Sequence, residues 1–150
     1  MKAFRITGTK YADDLSGYGA ALAGGRWNKK GSRVVYSGES EEIALLETIV
    51  HTPQMLIPKL SVVTLDIPEN SITEVSPSQL PDNWFDYPAP AILAEIGERW
   101  ITEKSSLVLK VPSSIIHTAR NYILNCLHKD FKKVTILEIK DFYFDTRLRK

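Results

Sequence analysis

The chain has 150 residues, 43% of them hydrophobic and 25% charged, which are ordinary proportions for one globular domain able to bury a core. Its 19 Lys/Arg and 18 Asp/Glu leave a formal net charge of +1, so the global basic excess of a dedicated nucleic-acid binder is missing, and the tail Arg147, Arg149, Lys150 is one small basic candidate. Cys126 is the only cysteine, which excludes an intrachain disulfide and a thiolate-rich zinc site. Residues 1–7 carry Lys2 and Arg5 and lack the apolar stretch of a signal peptide, and no window approaches the roughly 20 apolar residues of a membrane helix. The expectation is a single reduced, cytoplasmic domain over residues 1–150, with no membrane association.

Residues 3–7 read as a short first strand, and residues 11–25, rich in Gly, Ala, Asp and Ser, as a loop with room for a short helix. The β-branched and aromatic run 33–37, stopped by Gly38, reads as a strand. A helix follows from Ser40 to His51: Ser40 is the natural N-cap, Glu41 and Glu42 complement the helix dipole, and Pro53 lies just beyond the end. Residues 60–67 form the next strand, closed by Pro68, and residues 68–88 are expected to be irregular, punctuated by Pro68, Pro77, Pro81 and Pro88. The 3.6-residue period of Ile92, Leu93, Ile96, Trp100 and Ile101 predicts a second helix beginning near Pro88 or Pro90. Strands are expected at 107–111, 121–124 and 134–144, the last broken around Asp141. The sum is a mixed α+β domain of five or six strands and two main helices.

The densest chemical signal is Gly24-Gly25-Arg26-Trp27-Asn28-Lys29-Lys30-Gly31, placed just before the strand holding Tyr36. Arg26 offers a planar, permanently charged fork for phosphate or carboxylate, and Trp27 and Tyr36 offer flat faces for a heteroaromatic ring. The plainer reading is a Gly-rich hairpin entry with Arg26 on a surface carboxylate and Trp27 in the core. The spacing is not that of a phosphate-binding P-loop. Glu47 is the second unusual residue. At 100° per residue Ile43, Leu46 and Val50 centre the apolar arc of its helix, and Glu47 falls at the arc's margin, where a carboxylate loses part of its hydration. The alternative there is a glutamate whose stem packs while its head reaches water. Ser113 and Ser114 follow a Val-Pro pair but lack the strand–GxSxG–helix elbow of a hydrolase nucleophile. His51, His117 and His128 are dispersed, and Cys126 with His128 has no zinc-ligand spacing, so no metal chemistry is expected.

Eight blocks in order make the whole chain resemble the RES-domain family, the toxin half of bacterial RES–Xre toxin–antitoxin pairs. They begin with Phe4-Arg5-Ile6, the run from Gly24 through Asn28 with Gly31, and Val35-Tyr36. They continue with Ala44-Leu45-Leu46-Glu47 and His51, Val111-Pro112-Ser113, Asn121-Tyr122-Ile123-Leu124-Asn125, His128-x-Asp130-Phe131 and Phe142-x-Phe144-Asp145-x-Arg147-Leu148. The Arg, Glu and Ser of the family's name fall on Arg26, Glu47 and Ser113. Cys126 departs from the pattern, standing where the family usually has proline.

The resemblance implies a fold related to ADP-ribosyltransferase toxins, NAD as the substrate, and cleavage of the nicotinamide–ribose bond by hydrolysis or phosphorolysis without a metal. It implies Glu47, Arg26, Ser113 and Tyr36 as the catalytic set and Arg26, Trp27, Asn28, Tyr36, Ser113 and Asn125 as NAD contacts. It further implies a homodimer and an Xre-type helix-turn-helix antitoxin, with DNA met only through that antitoxin. In this scheme Arg26 holds the phosphates, Tyr36 supports the nicotinamide ribose or ring, Ser113 bonds the ribose or carboxamide, and Glu47 stabilises the cationic sugar. Two other readings use the same residues: a protein ADP-ribosyltransferase, and a non-catalytic nucleotide- or partner-binding module.

Overall fold

The computed structural model describes residues 1–53 and 59–148, so Arg149 and Lys150 of the basic tail lie outside the described residues. In chain order the elements are β1 (Lys2–Gly8), α1 (Tyr18–Ala23), β2 (Val34–Gly38), α2 (Glu41–His51), β3 (Leu60–Asp66), β4 (Ile72–Glu74), α3 (Ala91–Glu103), β5 (Val108–Pro112), β6 (Arg120–Asn125) and β7 (Thr135–Phe142). The seven strands make one sheet ordered β4-β5-β6-β2-β1-β3-β7. Every pairing is antiparallel except β4 on β5. The domain is therefore α+β as expected, with one strand more than the sequence suggests. The addition is β4, three residues inside the stretch expected to be irregular. It is too short to show a period of its own and is held by the free edge of β5. The short helix allowed for in the loop 11–25 is α1, which has Gly17 before it and Gly24 after it.

Strand register decides what faces what. Tyr36 lies opposite Ile123, and Ile123 opposite Leu109; in the next row Gly38 lies opposite Asn121, and Asn121 opposite Val111. Because alternate residues share a face, all of these look to one side of the sheet. That side is closed by two helices. On α3 the buried stripe is Leu93, Gly97, Trp100 and Ile101, packed with Val34, Leu109, Val111 and Ile123. On α2 Ala44 packs on Ile6, Leu60 and Val62. The opposite face carries Ala3, Val35, Val63, Leu65, Val108 and Leu124, covered by Ala12, Leu15, Phe131 and Val134.

Both long helices follow local rules at their ends. Ser40 caps α2 as expected, its Oγ accepting from Ile43 N–H at 3.2 Å, with Glu41 and Glu42 in the first turn. After Pro90, α3 runs to Lys104, which closes it in the left-handed region and returns its N–H to the Trp100 and Ile101 carbonyls. The Trp100 indole N–H donates to Ser106 Oγ at 2.8 Å, so this large buried ring keeps its polar atom satisfied. Gly97 is the position where α3 crosses the Trp27 backbone, and a Cβ there would overlap the Trp27 carbonyl.

The face that α2 buries differs from the expected one. Ile43 and Ala44 are buried, Thr48 Oγ donates to the carbonyls of Ala44 and Ile6 at 2.8 and 3.2 Å, and Val50 is 58% exposed. The inward face runs over Ile43, Ala44, Glu47 and Thr48, rotated from the arc of Ile43, Leu46 and Val50 toward Ala44 and Thr48. Two small or hydroxylated side chains, Ala44 and Thr48, allow the helix to sit close on β1, and this outweighs the bulkier arc. Glu47 consequently points inward instead of lying at a margin.

Candidate active site

The site forms where the inward face of α2, the loop before β2, and the β5–β6 end of the sheet meet. Glu47 comes from the middle of α2 with its side chain 25% exposed. Its Oε1 accepts two hydrogen bonds, from Ser113 Oγ at 3.1 Å and from Asn121 Nδ2 at 2.8 Å. Its Oε2 faces Nε2 of the exposed His51, one helical turn on, at 3.8 Å. One carboxylate oxygen is thus fixed by two neutral donors, and the other remains available to a ligand.

Ser113 lies at the end of β5, where the chain leaves the sheet into a loop closed by Ser113 N–H donating to the Ala119 carbonyl at 3.0 Å. Its Oγ also accepts from the N–H groups of Ile115 and Ile116 at 3.1 and 3.2 Å. With the residue 1% exposed and its hydroxyl proton given to Glu47, the geometry makes Ser113 a support for the carboxylate. The expected direct bond from Ser113 to ribose or carboxamide has no free donor behind it.

Arg26 follows Gly25, whose N–H donates to the Asn28 carbonyl at 2.9 Å to close a tight bridge. Any Cβ at Gly25 would meet the Tyr36 hydroxyl at 2.7 Å, so glycine is required by close approach. The guanidinium is oriented by two carbonyls, Nη1 donating to Trp84 at 2.9 Å and Nη2 to Asp86 at 3.0 Å. The plainer reading paired this residue with a surface carboxylate; backbone carbonyls take that place and leave part of the five-donor fork unspent. Burial lowers the Arg26 pKa, and the negative charges of Glu47 and Asp86 act against that lowering.

Tyr36 stands on β2 beside this loop. Its hydroxyl donates to Asn28 Oδ1 at 2.6 Å and accepts from Trp27 N–H at 3.1 Å, and burial raises its pKa well above the usual phenol value. The phenol is committed to the loop, and what Tyr36 can present to a ligand is its ring. Three of the expected NAD contacts have their side chains engaged within the protein. Trp27 is 2% exposed inside the main core cluster, so its ring is packed against protein. Asn28 is buried, with its amide nitrogen donating to the carbonyls of Ala20, Lys29 and Ser32, which locks the loop. Asn125 is buried, donating to the Ile101 carbonyl at 3.1 Å and accepting from Leu127 N–H at 2.9 Å. It lies four residues along β6 from Asn121, roughly 13 Å at strand rise.

Three participants were not singled out from the sequence. Asn121 had a detectable signal: in a strand of alternating residues it shares a face with Ile123 and Asn125, so it is polar on an inward face. Trp84 and Asp86, which orient Arg26 through carbonyls, carry no sequence signal, since any residue has a carbonyl. Among the described residues no group of three or more His, Cys, Asp or Glu could hold a metal, and His128 Nδ1 instead accepts from Asp130 N–H. No helix among them is long and apolar enough to cross a membrane.

A fixed carboxylate with an oriented guanidinium near it is an arrangement suited to binding an anionic ligand and stabilising positive charge developing on it. A chain of the M. tuberculosis MbcT–MbcA toxin–antitoxin complex superposes with a TM-score of 0.78 over 94% of this chain and 83% of its own, at 18% sequence identity. The RES domain model matches residues 2–145, and the chain belongs to the RES-domain family. "Toxin Res" of Yersinia enterocolitica is 37% identical over 152 residues, covering 99% of this chain and all of that protein. A protein of Sphingobium named "Prs ADP-ribosylating toxin" is 33% identical over 144 residues, covering 93% of this chain and 89% of its own length.

Proposed function

We propose that this chain is the toxin of a toxin–antitoxin pair and cleaves the nicotinamide–ribose bond of NAD, by hydrolysis or phosphorolysis. The observation that carries the reading is Glu47, with Oε1 held by Ser113 and Asn121 and the charge of Arg26 close by. Arg26 takes the pyrophosphate with the donors its two carbonyls leave free. The Tyr36 ring supports the nicotinamide ribose. Glu47 Oε2 accepts from a ribose hydroxyl and faces the anomeric carbon as positive charge develops there. The C1′–N bond breaks with its electron pair going to the pyridinium nitrogen. Nicotinamide then departs neutral, without a general acid, and an oxygen of water or phosphate captures C1′.

The test is nicotinamide release from NAD by the purified chain, with and without phosphate. Glu47→Gln keeps the shape of the side chain and removes its charge; turnover should fall by roughly two orders of magnitude, the usual scale for one preorganised electrostatic group. Full turnover by Glu47→Gln would refute the role. A second reading, transfer of ADP-ribose to a protein, is favoured by the name of the Sphingobium relative. Label from radiolabelled NAD appearing on protein would select it. A folded chain that binds NAD and forms no product would select the binding module. As for assembly, we propose a homodimer and an Xre-type antitoxin. The solved toxin–antitoxin complex with this fold supports the antitoxin, and sedimentation of the chain alone and with the neighbouring gene product tests both.

A further inference from the structure

A cluster of three aromatic rings borders the site and takes no part in the scheme above. Trp84 and Phe85 lie in the loop before α3, and His117 lies at the tip of the loop that Ser113 begins. Trp84 is buried in the main core cluster. Phe85 stands edge-on to it, with ring centroids 5.5 Å apart and planes at 86°. His117 rests on both, 4.9 Å from Trp84 and 4.7 Å from Phe85, the last pair inclined at 39°. His117 is exposed and Phe85 is 43% exposed, so two ring surfaces are held rigidly by a buried third and still meet solvent.

Their position relative to the charges is set by hydrogen bonds. Arg26 donates to the carbonyls of Trp84 and Asp86, the two residues that flank Phe85, so the guanidinium lies against the turn that carries the ring. The loop bearing His117 starts at Ser113, which holds Glu47, and is pinned shut by Ser113 N–H on the Ala119 carbonyl and Ala119 N–H on the Ile116 carbonyl. Phe85 thus stands on the turn that holds the guanidinium, with His117 against it. A ligand with its reacting sugar at Glu47 and its phosphates at Arg26 has its far end over these rings. Flat aromatic surfaces beside a guanidinium suit a purine, which stacks without demanding particular hydrogen bonds.

We infer that Phe85 and His117 form a stacking platform for the adenine end of the dinucleotide. The inference rests on the NAD-cleaving reading for its direction, since the platform matters only for substrates that carry the second nucleotide. Nicotinamide mononucleotide contains the reacting bond and lacks the adenylate, so it separates the two. Phe85→Ala should raise KM for NAD about tenfold and leave kcat within twofold, the scale of losing one base–aromatic stack. KM for nicotinamide mononucleotide should not move, and Phe85→Trp should restore the NAD value. Unchanged KM for NAD, or equal rises for both substrates, would overturn the platform.

Calorimetric titration with ADP keeps the two claims apart. If the wild-type chain cleaves neither substrate, the NAD-cleaving reading fails, and the titration still decides the platform. ADP binding that weakens about tenfold in Phe85→Ala and His117→Ala supports it; no ADP binding by wild type, or equal affinity in the variants, overturns it.

Discussion

Replacing Asn121 by Asp tests the carboxylate's support most directly, because it alters one atom's chemistry and almost no volume. The Asn121 Nδ2 that now donates to Glu47 Oε1 at 2.8 Å becomes an oxygen, and a neutral donor becomes a second negative charge. Two unit charges about 4 Å apart repel by about 4 kcal/mol at an effective dielectric near 20. That repulsion is relieved when the pair takes up one proton, which two adjacent carboxylates share more readily than either would alone. If the reaction needs Glu47 charged and held by a donor, Asn121→Asp should lower kcat about tenfold or more at pH 8, where both carboxylates are ionised, and its pH profile should differ from that of the wild type. Asn121→Ala removes the donor without adding charge, costs about 1 to 1.5 kcal/mol, and should lower kcat about five- to tenfold at every pH. The assay is initial-rate nicotinamide release over pH 5.5 to 9, with circular dichroism to establish folding. Wild-type kcat and a wild-type pH profile for Asn121→Asp would mean that the bond from residue 121 does not support the Glu47 charge, and the reasoning from its geometry would fail.

Two further predictions concern the fold that carries the site. Gly97→Ala should lower stability by about 3 kcal/mol or more, since the new methyl meets the Trp27 carbonyl, a backbone atom that cannot swing away. Denaturant titration checks this, and a loss under 1 kcal/mol would show that α3 can lift off the loop. Stability should also fall in alkali. Burial pushes the Cys126 thiol from an ordinary 9.0 up to about 11, and burial raises the Tyr36 phenol as well. For such acids the native state holds its proton longer than the unfolded chain, so their contribution is complete below pH 9 and drains away as the pH rises through 11. Cys126→Ala should flatten part of that decline in urea titrations at pH 8, 10 and 11. A wild-type chain equally stable at all three would contradict the burial argument.

The sequence was most informative where structure is local. Ser40 with Glu41 and Glu42 starts α2, the Ile92–Ile101 period marks α3, and β-branched runs locate most strands within a residue or two. It was least informative where a long-range partner decides. β4 exists because β5 has an open edge, and the inward face of α2 is chosen by how closely Ala44 and Thr48 approach β1. The loop at Gly24–Gly31 shows both limits. Arg26 reaches the site, whereas Trp27 and Asn28, identical in promise on paper, turn inward to hold the loop in place. Aromatic and amide side chains suit ligands and cores equally well, and only packing separates the two uses.

The same dependence on distant partners explains why the site and the sheet cannot be considered apart. Glu47 is 66 residues from Ser113 and 74 from Asn121, and Arg26 is 58 and 60 residues from the carbonyls that orient it. None of these contacts exists until β5, β6 and β2 are in register. Asn121 lies opposite Gly38, the residue without a side chain at the point where α2 starts, and a slip of β6 by one residue would present Tyr122 to Glu47 in its place. A phenol ring there would fill the space beneath α2 and deprive Oε1 of its shorter bond. Glu47 therefore gains its support only from the correctly paired sheet, and the chemistry proposed for it is available to the folded chain and to no misregistered form.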